Sequence, residues 1–142
     1  MSDLILIDGD EVVFDQMFGV AYVTVKPGEI KGTGKTSLNS KVVCVEGDEA
    51  TVEVPGCDYI APPYVNPKGK GTLRIASLGG DQKAQQMKSG GKAVLLKGGK
   101  FNAEFTVQIP AHQPGVPPVP DPIKKYIGTG EFKTSNNKYK AT

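Results

Sequence analysis

Cys57 and His112 are the soft-ligand side chains whose placement carries information. The chain of 142 residues holds one His and two Cys. Cys57 closes Thr51-Val-Glu-Val-Pro-Gly-Cys57, and His112 closes Thr106-Val-Gln-Ile-Pro-Ala-His112, two stretches that align without a gap. Each donor follows a Pro that ends a strand-like run. A thiolate and an imidazole at equivalent positions of two repeats would converge near a pseudo-symmetry axis, and both are donors for zinc or iron. Cys57 and His112 are therefore the candidate metal site, for one structural zinc or iron at the apex of the fold. Even with Asp58 as a third donor the set falls short of the four ligands of a closed structural site. Ordinary apex packing is the alternative. The other thiol, Cys44, stands in Val42-Val-Cys-Val45, where a free Cys serves as a small core hydrophobe.

Gly34-Lys35-Thr36 invites a phosphate-loop reading. That motif fixes the spacing between its first Gly and the Gly-Lys, and Gly28 misses it by one residue. Glu29 would repel an anion, and the following Leu38-Asn-Ser-Lys-Val-Val43 reads as turn and strand, with no helix N-terminus to hold phosphate. Asp8, Asp10, Glu11 and Asp15, with Asp48 and Glu49, place carboxylates close to turns. Paired acids can hydrolyse glycosides. In Asp8-Gly9-Asp10, however, turn chemistry accounts for the acids by itself. No His lies near them and no Ser sits in a nucleophile elbow, so no catalytic residue is assigned and the chain is not read as an enzyme.

The elements that must position these residues are short strands. Gly (18) and Pro (11) leave little room for long helices. Apolar runs of strand length recur between Gly, Pro, Asn and Asp: Leu4 to Ile7, Val12 to Phe14, Ala21 to Val25, Lys41 to Val45, Thr51 to Val54, Thr72 to Leu78, Ala93 to Leu96 and Glu104 to Ile109. Asp8-Gly9-Asp10 between the first two predicts a hairpin. One short helix is expected over Asp81 to Ser89, capped by Asp81 and stopped by Gly90-Gly91. No apolar run is long enough for a membrane span or a signal-peptide core, so synthesis in the cytoplasm without a signal peptide is expected. Of 17 basic residues only Arg74 is Arg, and nucleic-acid readers rely on Arg forks, so no nucleic-acid partner is expected.

The aligned stretches define a repeat, and Gly34-Lys35 matches Gly91-Lys92 upstream with a small slip that a loop absorbs. Two copies of a β unit, with the N-terminal part as a third face, predict an all-β fold: a small pseudo-threefold β-prism or cone of short hairpins. The cone is placed at residues 1–113, its repeat-bearing part at 30–112. From Pro114 the composition changes, with Pro114, Pro117, Pro118, Pro120 and Pro122 close together. Residues 114–142 are read as a Pro-rich, Lys-rich C-terminal arm lying outside the cone.

Gly32-Thr-Gly-Lys-Thr-Ser-Leu-Asn-Ser-Lys-Val-Val-Cys-Val-Glu-Gly-Asp48 resembles the PAAR-repeat pattern. There a Gly-Ser-Pro-x-Val-Leu-Ile-Asn-Gly-Lys stretch is followed by Pro-Ala-Ala-Arg, one residue, and Gly-Asp. Gly32, Asn39, Lys41 and Gly47-Asp48 fall in place, while Val42 to Val45 replace the signature tetrapeptide. Ala93-Val-Leu-Leu-Lys-Gly-Gly-Lys100 repeats the flavour, with Phe101 to Glu104 at the tetrapeptide. The resemblance implies a PAAR-like spike tip of a contractile injection machine: a phage tail, a type VI secretion spike or an extracellular tail-like particle. In that family a β cone caps a trimeric spike and effectors are fused to it or carried with it. Its tip holds zinc with three His and one Cys, which a chain with one His cannot reproduce.

The expected function is thus a structural tip that caps and sharpens a trimeric spike of the VgrG or tail-spike type, one tip per trimer. It would help to pierce a target envelope, touching the target membrane transiently and carrying effector cargo. The alternative is a small β binding module that recruits an effector; a carbohydrate-active tail enzyme ranks third. Residues 1–113 carry a net charge of only −1, against +3 for 114–142 within the total of +2, so docking is expected to survive high salt.

Overall fold

The computed structural model describes residues 3–38 and 40–142. Asn39 of the PAAR-like stretch therefore lies outside the described residues. The fold is all-β, as the short apolar runs predict. Its main body is an eight-stranded antiparallel sheet built from β1 (Glu11–Phe14), β2 (Met17–Phe18), β3 (Ala21–Val23), β4 (Gly28–Glu29), β5 (Glu53–Ala61), β6 (Tyr64–Ser77), β7 (Lys100–Ile109) and β8 (Lys125–Lys133). Their spatial order is β2-β3-β5-β6-β7-β8-β1-β4.

Period-two alternation sets which face each strand buries. In β7 Phe101, Ala103 and Phe105 point inward, and in β8 Tyr126, Gly130 and Phe132 do. Phe14 meets Phe101 edge-on at 5.6 Å, and Phe101 meets Phe132 at 5.0 Å. Tyr59 and Phe18 close on Phe105 at 5.2 and 6.3 Å. Each buried ring contributes roughly 1.5–3 kcal/mol of transfer free energy, and well-angled pairs about 0.5–1.5 kcal/mol more. The sheet curls so that Phe18, on the edge strand β2, lies over Gly128 of β8; a Cβ there would stand 2.7 Å from the Phe18 ring.

Four expectations change. Asp8-Gly9-Asp10 does form a turn, with Gly9 at φ 83° and the Asp10 N–H donating to Ile7 O at 3.1 Å. Its flanking runs do not pair with each other; β1 joins β8 and β4 instead, and Leu4 to Ile7 goes elsewhere. Asp81 to Ser89 is not a helix: Lys83–Ser89 is a strand paired with Lys92–Leu95. Gly90 and Gly91, both at positive φ (62° and 82°), make the two-residue hairpin turn that suits twisted strands. Among the described residues the helical element is a single 3-10 turn, Asp48–Thr51.

The third change concerns residues 114–142. They do not form an arm outside the cone: β8 lies between β7 and β1, and Lys140–Ala141 pairs with Asp3–Leu4. The Pro cluster occupies the connection before β8, where Pro120 enters only the short ladder of Val119–Pro120 with His112–Gln113. Finally, the two aligned stretches are not symmetry mates. They enter β5 and β7, which flank β6, where Val54 and Phe105 both face Leu73.

Candidate functional site

The threefold feature lies where three short apolar runs meet: Leu4 to Ile7, Val42 to Val45 and Ala93 to Leu96. Each run pairs antiparallel with both others, through Ile7 with Val43, Val45 with Val94 and Leu96 with Ile5. Backbone bonds close the circle: Cys44 N–H donates to Leu6 O (2.9 Å), Leu95 N–H to Cys44 O (2.9 Å), and Leu6 N–H to Leu95 O (3.0 Å). Three more repeat at the corners, Asp8 N–H to Val42 O, Glu46 N–H to Ala93 O and Lys97 N–H to Leu4 O, all 2.8 Å. A threefold rotation about an axis along the strands would leave neighbours parallel. Antiparallel neighbours therefore mean strands lying across the axis, as a triangular plate.

Alternation sorts the side chains of that plate onto two sides. Leu6, Cys44 and Leu95 join the large core beneath the sheet. Ile5, Val43, Val94, Val45 and Leu96 enter a second cluster with Ala84, Met87, Leu38 and Ala141. Three two-stranded ladders surround it: Asp3–Leu4 with Lys140–Ala141, Lys41–Val42 with Ser37–Leu38, and Lys92–Leu95 with Lys83–Ser89. Each ring strand leaves through a turn with a left-handed glycine, Gly9, Gly47 or Gly98 (φ 83°, 104° and 53°), a conformation that favours Gly. The Asp10 and Asp48 carboxylates then accept from the N–H of Ile7 and Val45, 2.8 Å each. In the third copy Gly99 replaces the Asp, and Leu96 N–H donates to Gln82 O instead.

The candidate metal residues lie outside this ring. Cys57 is fully buried opposite Gly71, and its thiol sits 3.6 Å from Val54 O; burial pushes its pKa up. His112 is half-buried in a short ladder opposite Pro120, and its Nδ1 is buried without a hydrogen-bond partner. Asp58, the extra oxygen donor, is held by Lys70 at 2.7 Å, a contact that lowers its pKa. No group of three or more His, Cys, Asp or Glu able to hold a metal occurs among the described residues. These donors do not fit a closed site. Cys44 packs at the ring centre, and burial, with Asp48, Asp10 and Asp8 nearby, raises its pKa.

The other chemical candidates are engaged locally. Lys35 N–H and Thr36 N–H, which a phosphate loop would aim at an anion, both donate to Ser89 Oγ (2.7 and 3.0 Å). Asp8 accepts from Gly32 N–H, Asp48 from the Thr33 N–H and hydroxyl, and Glu49 from Gly47 N–H. Asp15 accepts from the Thr129 hydroxyl and Lys100; the Thr129 bond is the main cause of its lowered pKa.

Two structural residues carried no motif. The buried Asp121 accepts from the hydroxyls of Tyr59 (2.8 Å) and Tyr126 (2.6 Å), locking the connection before β8. Asn136 donates from Nδ2 to Ile5 O and Tyr139 O and accepts at Oδ1 from the Lys138 and Tyr139 N–H groups, fastening the C-terminal strand to the ring. The ring itself did leave a signal: Ile7-Asp-Gly-Asp-Glu11 matches Val45-Glu-Gly-Asp-Glu49 at five consecutive positions, four of them identical or acid for acid.

The plate thus has three quasi-equivalent edges within one chain. Residues 1–142, the whole chain, match the family of contractile injection system spike tip proteins. This chain belongs to that family. No curated protein matches it. The spike tip is thus a structural component of a contractile injection system, associated with its central spike. Among the described residues no helix is long and apolar enough to cross a membrane.

Proposed function

We propose that this spike tip caps a central spike of three chains, one copy per trimer, and leads it through the target envelope when the sheath contracts. The observation that carries this reading is the closed ring of Leu6, Cys44 and Leu95, whose six backbone bonds repeat around a pseudo-threefold axis. A monomer with such a ring can offer three related contacts to three identical chains. The mechanical part of the role is supported by cohesion: Asp3–Leu4 pairs with Lys140–Ala141 beside the ring, and the ring's Leu6, Cys44 and Leu95 enter the core of the sheet. Effector carriage is included in the proposal as a second load on the same tip. Co-expression with the system's spike protein tests the reading. Co-purification as a defined complex is expected; a tip that elutes alone at micromolar concentrations contradicts it.

A further inference from the structure

We infer that the end of the sheet remote from the ring is a lipid-contacting surface, three apolar loops that enter the headgroup region of an anionic bilayer. That this end leads, while the ring lobe faces the spike, rests on the trimer-capping reading above. The strand registers define the end. β5, β7 and β8 meet the ring lobe at Glu53, Lys100 and Lys133, so their other termini, Ala61, Ile109 and Lys125, lie away from it. Tyr22 pairs with Ile60 and with Met17, which brings β2 and β3 to the same end. The connection 110–124 folds back over it: the Ala111 N–H donates to the Tyr59 hydroxyl at 3.1 Å, and the Asp121 N–H to Ala111 O at 2.8 Å.

Three segments therefore gather around Tyr59: 17–22, 62–68 and 109–124. They make up a fifth of the chain. Yet among the described residues they hold eight of the ten large apolar side chains that are exposed. Met17, Val20 and Tyr22 stand on the first segment, and Val65 stands beside exposed Pro62, Pro63 and Pro67 on the second. Ile109, Val116, Val119 and Ile123 stand on the third. Val20 is at the turn between β2 and β3, and Val116, fully exposed, lies between the paired Gln113 and Val119. The remaining two, Ile127 and Tyr139, stand apart on β8 and on the lobe. Single exposed apolar residues are ordinary, whereas this concentration at one end marks an interaction surface.

Lipid is the partner that suits this surface. The three loops differ in length and share no sequence register, so a threefold spike finds no repeated contact among them. A protein partner would also need a shape matched to all three, whereas a fluid bilayer conforms to them. The Trp and Arg anchors that dominate protein interfaces are missing: the chain has no Trp, and Arg74 pairs with Glu53 toward the ring. Val, Ile, Met and Pro at the tips can enter the acyl boundary, and the Tyr22 ring suits the headgroup level. The charge is complementary too. The three segments hold one carboxylate, Asp121, buried beneath the Tyr59 and Tyr126 hydroxyls. Against it, Lys68 and Lys124 are exposed and make no ion pair among the described residues, and Lys68 borders the same cleft as Tyr22 and Ile60. Unpaired lysines occur on the lobe as well, so apolar exposure singles out this end, and charge favours anionic headgroups over neutral ones.

Flotation of the full chain with vesicles of equal parts phosphatidylglycerol and phosphatidylcholine tests the inference. Roughly half of the chain is expected to float at about 1 mM lipid, with binding at least about tenfold weaker on phosphatidylcholine alone. Val20→Ser/Val65→Ser/Val116→Ser, one change per segment, is expected to weaken binding by about tenfold or more. Lys68→Gln/Lys124→Gln is expected to weaken binding to the anionic vesicles by about tenfold or more. Ile127→Ser, on β8, serves as the control and leaves binding within about twofold. Thermal melts separate folding from binding, since every substituted side chain is exposed. An unmodified chain that stays with the unfloated fraction, or a loop variant that floats as well as the original, overturns the inference. Loss of spike binding in the loop variant also overturns it and assigns this end to the trimer. Loss of vesicle binding in the loop variant with spike binding unchanged supports it. A tip that binds vesicles through these loops yet never binds the trimer sustains the lipid surface and overturns only trimer capping.

Discussion

Replacing Phe132 with Ala tests most sharply whether residues 114–142 are part of the core. Phe132 is fully buried, with its ring centroid 5.0 Å from that of Phe101. Its strand is paired on both sides, from Lys100–Glu131 to Thr106–Lys125 with β7 and from Gly130–Phe14 to Lys133–Glu11 with β1. Truncating such a ring costs about 3–5 kcal/mol, a large share of the roughly 5–15 kcal/mol that holds a domain folded. At about 3–4 °C per kcal/mol for a chain of this size, the melting temperature should fall by roughly 10–20 °C. Ile127→Ala on the same strand is the control: that side chain is 58% exposed, and its loss should stay within about 1 kcal/mol. Urea unfolding reads both, as a shift of midpoint at constant slope. Deletion of 114–142 should give an insoluble or non-cooperative chain. A Phe132→Ala cost below about 1 kcal/mol, or a truncated chain that melts cooperatively, refutes the reasoning.

Asp121→Ala leaves the buried Tyr59 and Tyr126 hydroxyls without their acceptor and should cost about 2–4 kcal/mol; a neutral result in denaturant titration contradicts the clasp. Burial, with the Asp121 bond, raises the Tyr59 pKa to about 12 from 10.0. Folding thus favours its protonated form, so this stability is complete below pH 10 and lost as pH rises toward 12; phenolate absorbance rising near pH 10 without unfolding contradicts it. Asp10→Ala and Asp48→Ala should each cost about 1–3 kcal/mol and agree within about 1 kcal/mol, since they cap equivalent turns; strongly unequal costs contradict ring equivalence. Cys44 and Cys57 should resist thiol reagents at neutral pH until the chain unfolds, and Cys57→Ser should leave the zinc and iron content of chelator-washed protein unchanged; fast native labelling, or loss of about one ion per chain, refutes this.

Strand content was legible because alternation in β7 and at Val52 to Val54 reports a half-buried sheet directly. Partner choice was not. Ala84, Gln85, Gln86 and Met87 are good helix formers, yet the Gly90-Gly91 turn and pairing with Lys92–Leu95 override that local preference. Residues 114–142 read as one arm because Pro clusters at their start, but Gly128 and Gly130 are small where Phe18 and Phe101 lie over them. The sequence predicts a pseudo-threefold prism, but the threefold pairing lies in the ring strands and not in the two aligned stretches. The gapless match of Thr51 to Cys57 with Thr106 to His112 is longer than the ring repeats and masks them. The ring strands are only three or four residues of plain apolar sequence, and their equivalence is written mainly in backbone bonds. Cys57 and His112 rest on that alignment, and they stand in β5 and in the short His112–Gln113 strand, outside the ring.

Native mass spectrometry of the intact spike–tip complex tests the central claim most directly. A pseudo-threefold ring within one chain predicts one tip bound to three spike chains, because a second or third copy would find the axis occupied. Three tips per spike trimer, each on its own spike chain, would show that the ring serves only the fold and contradict the account.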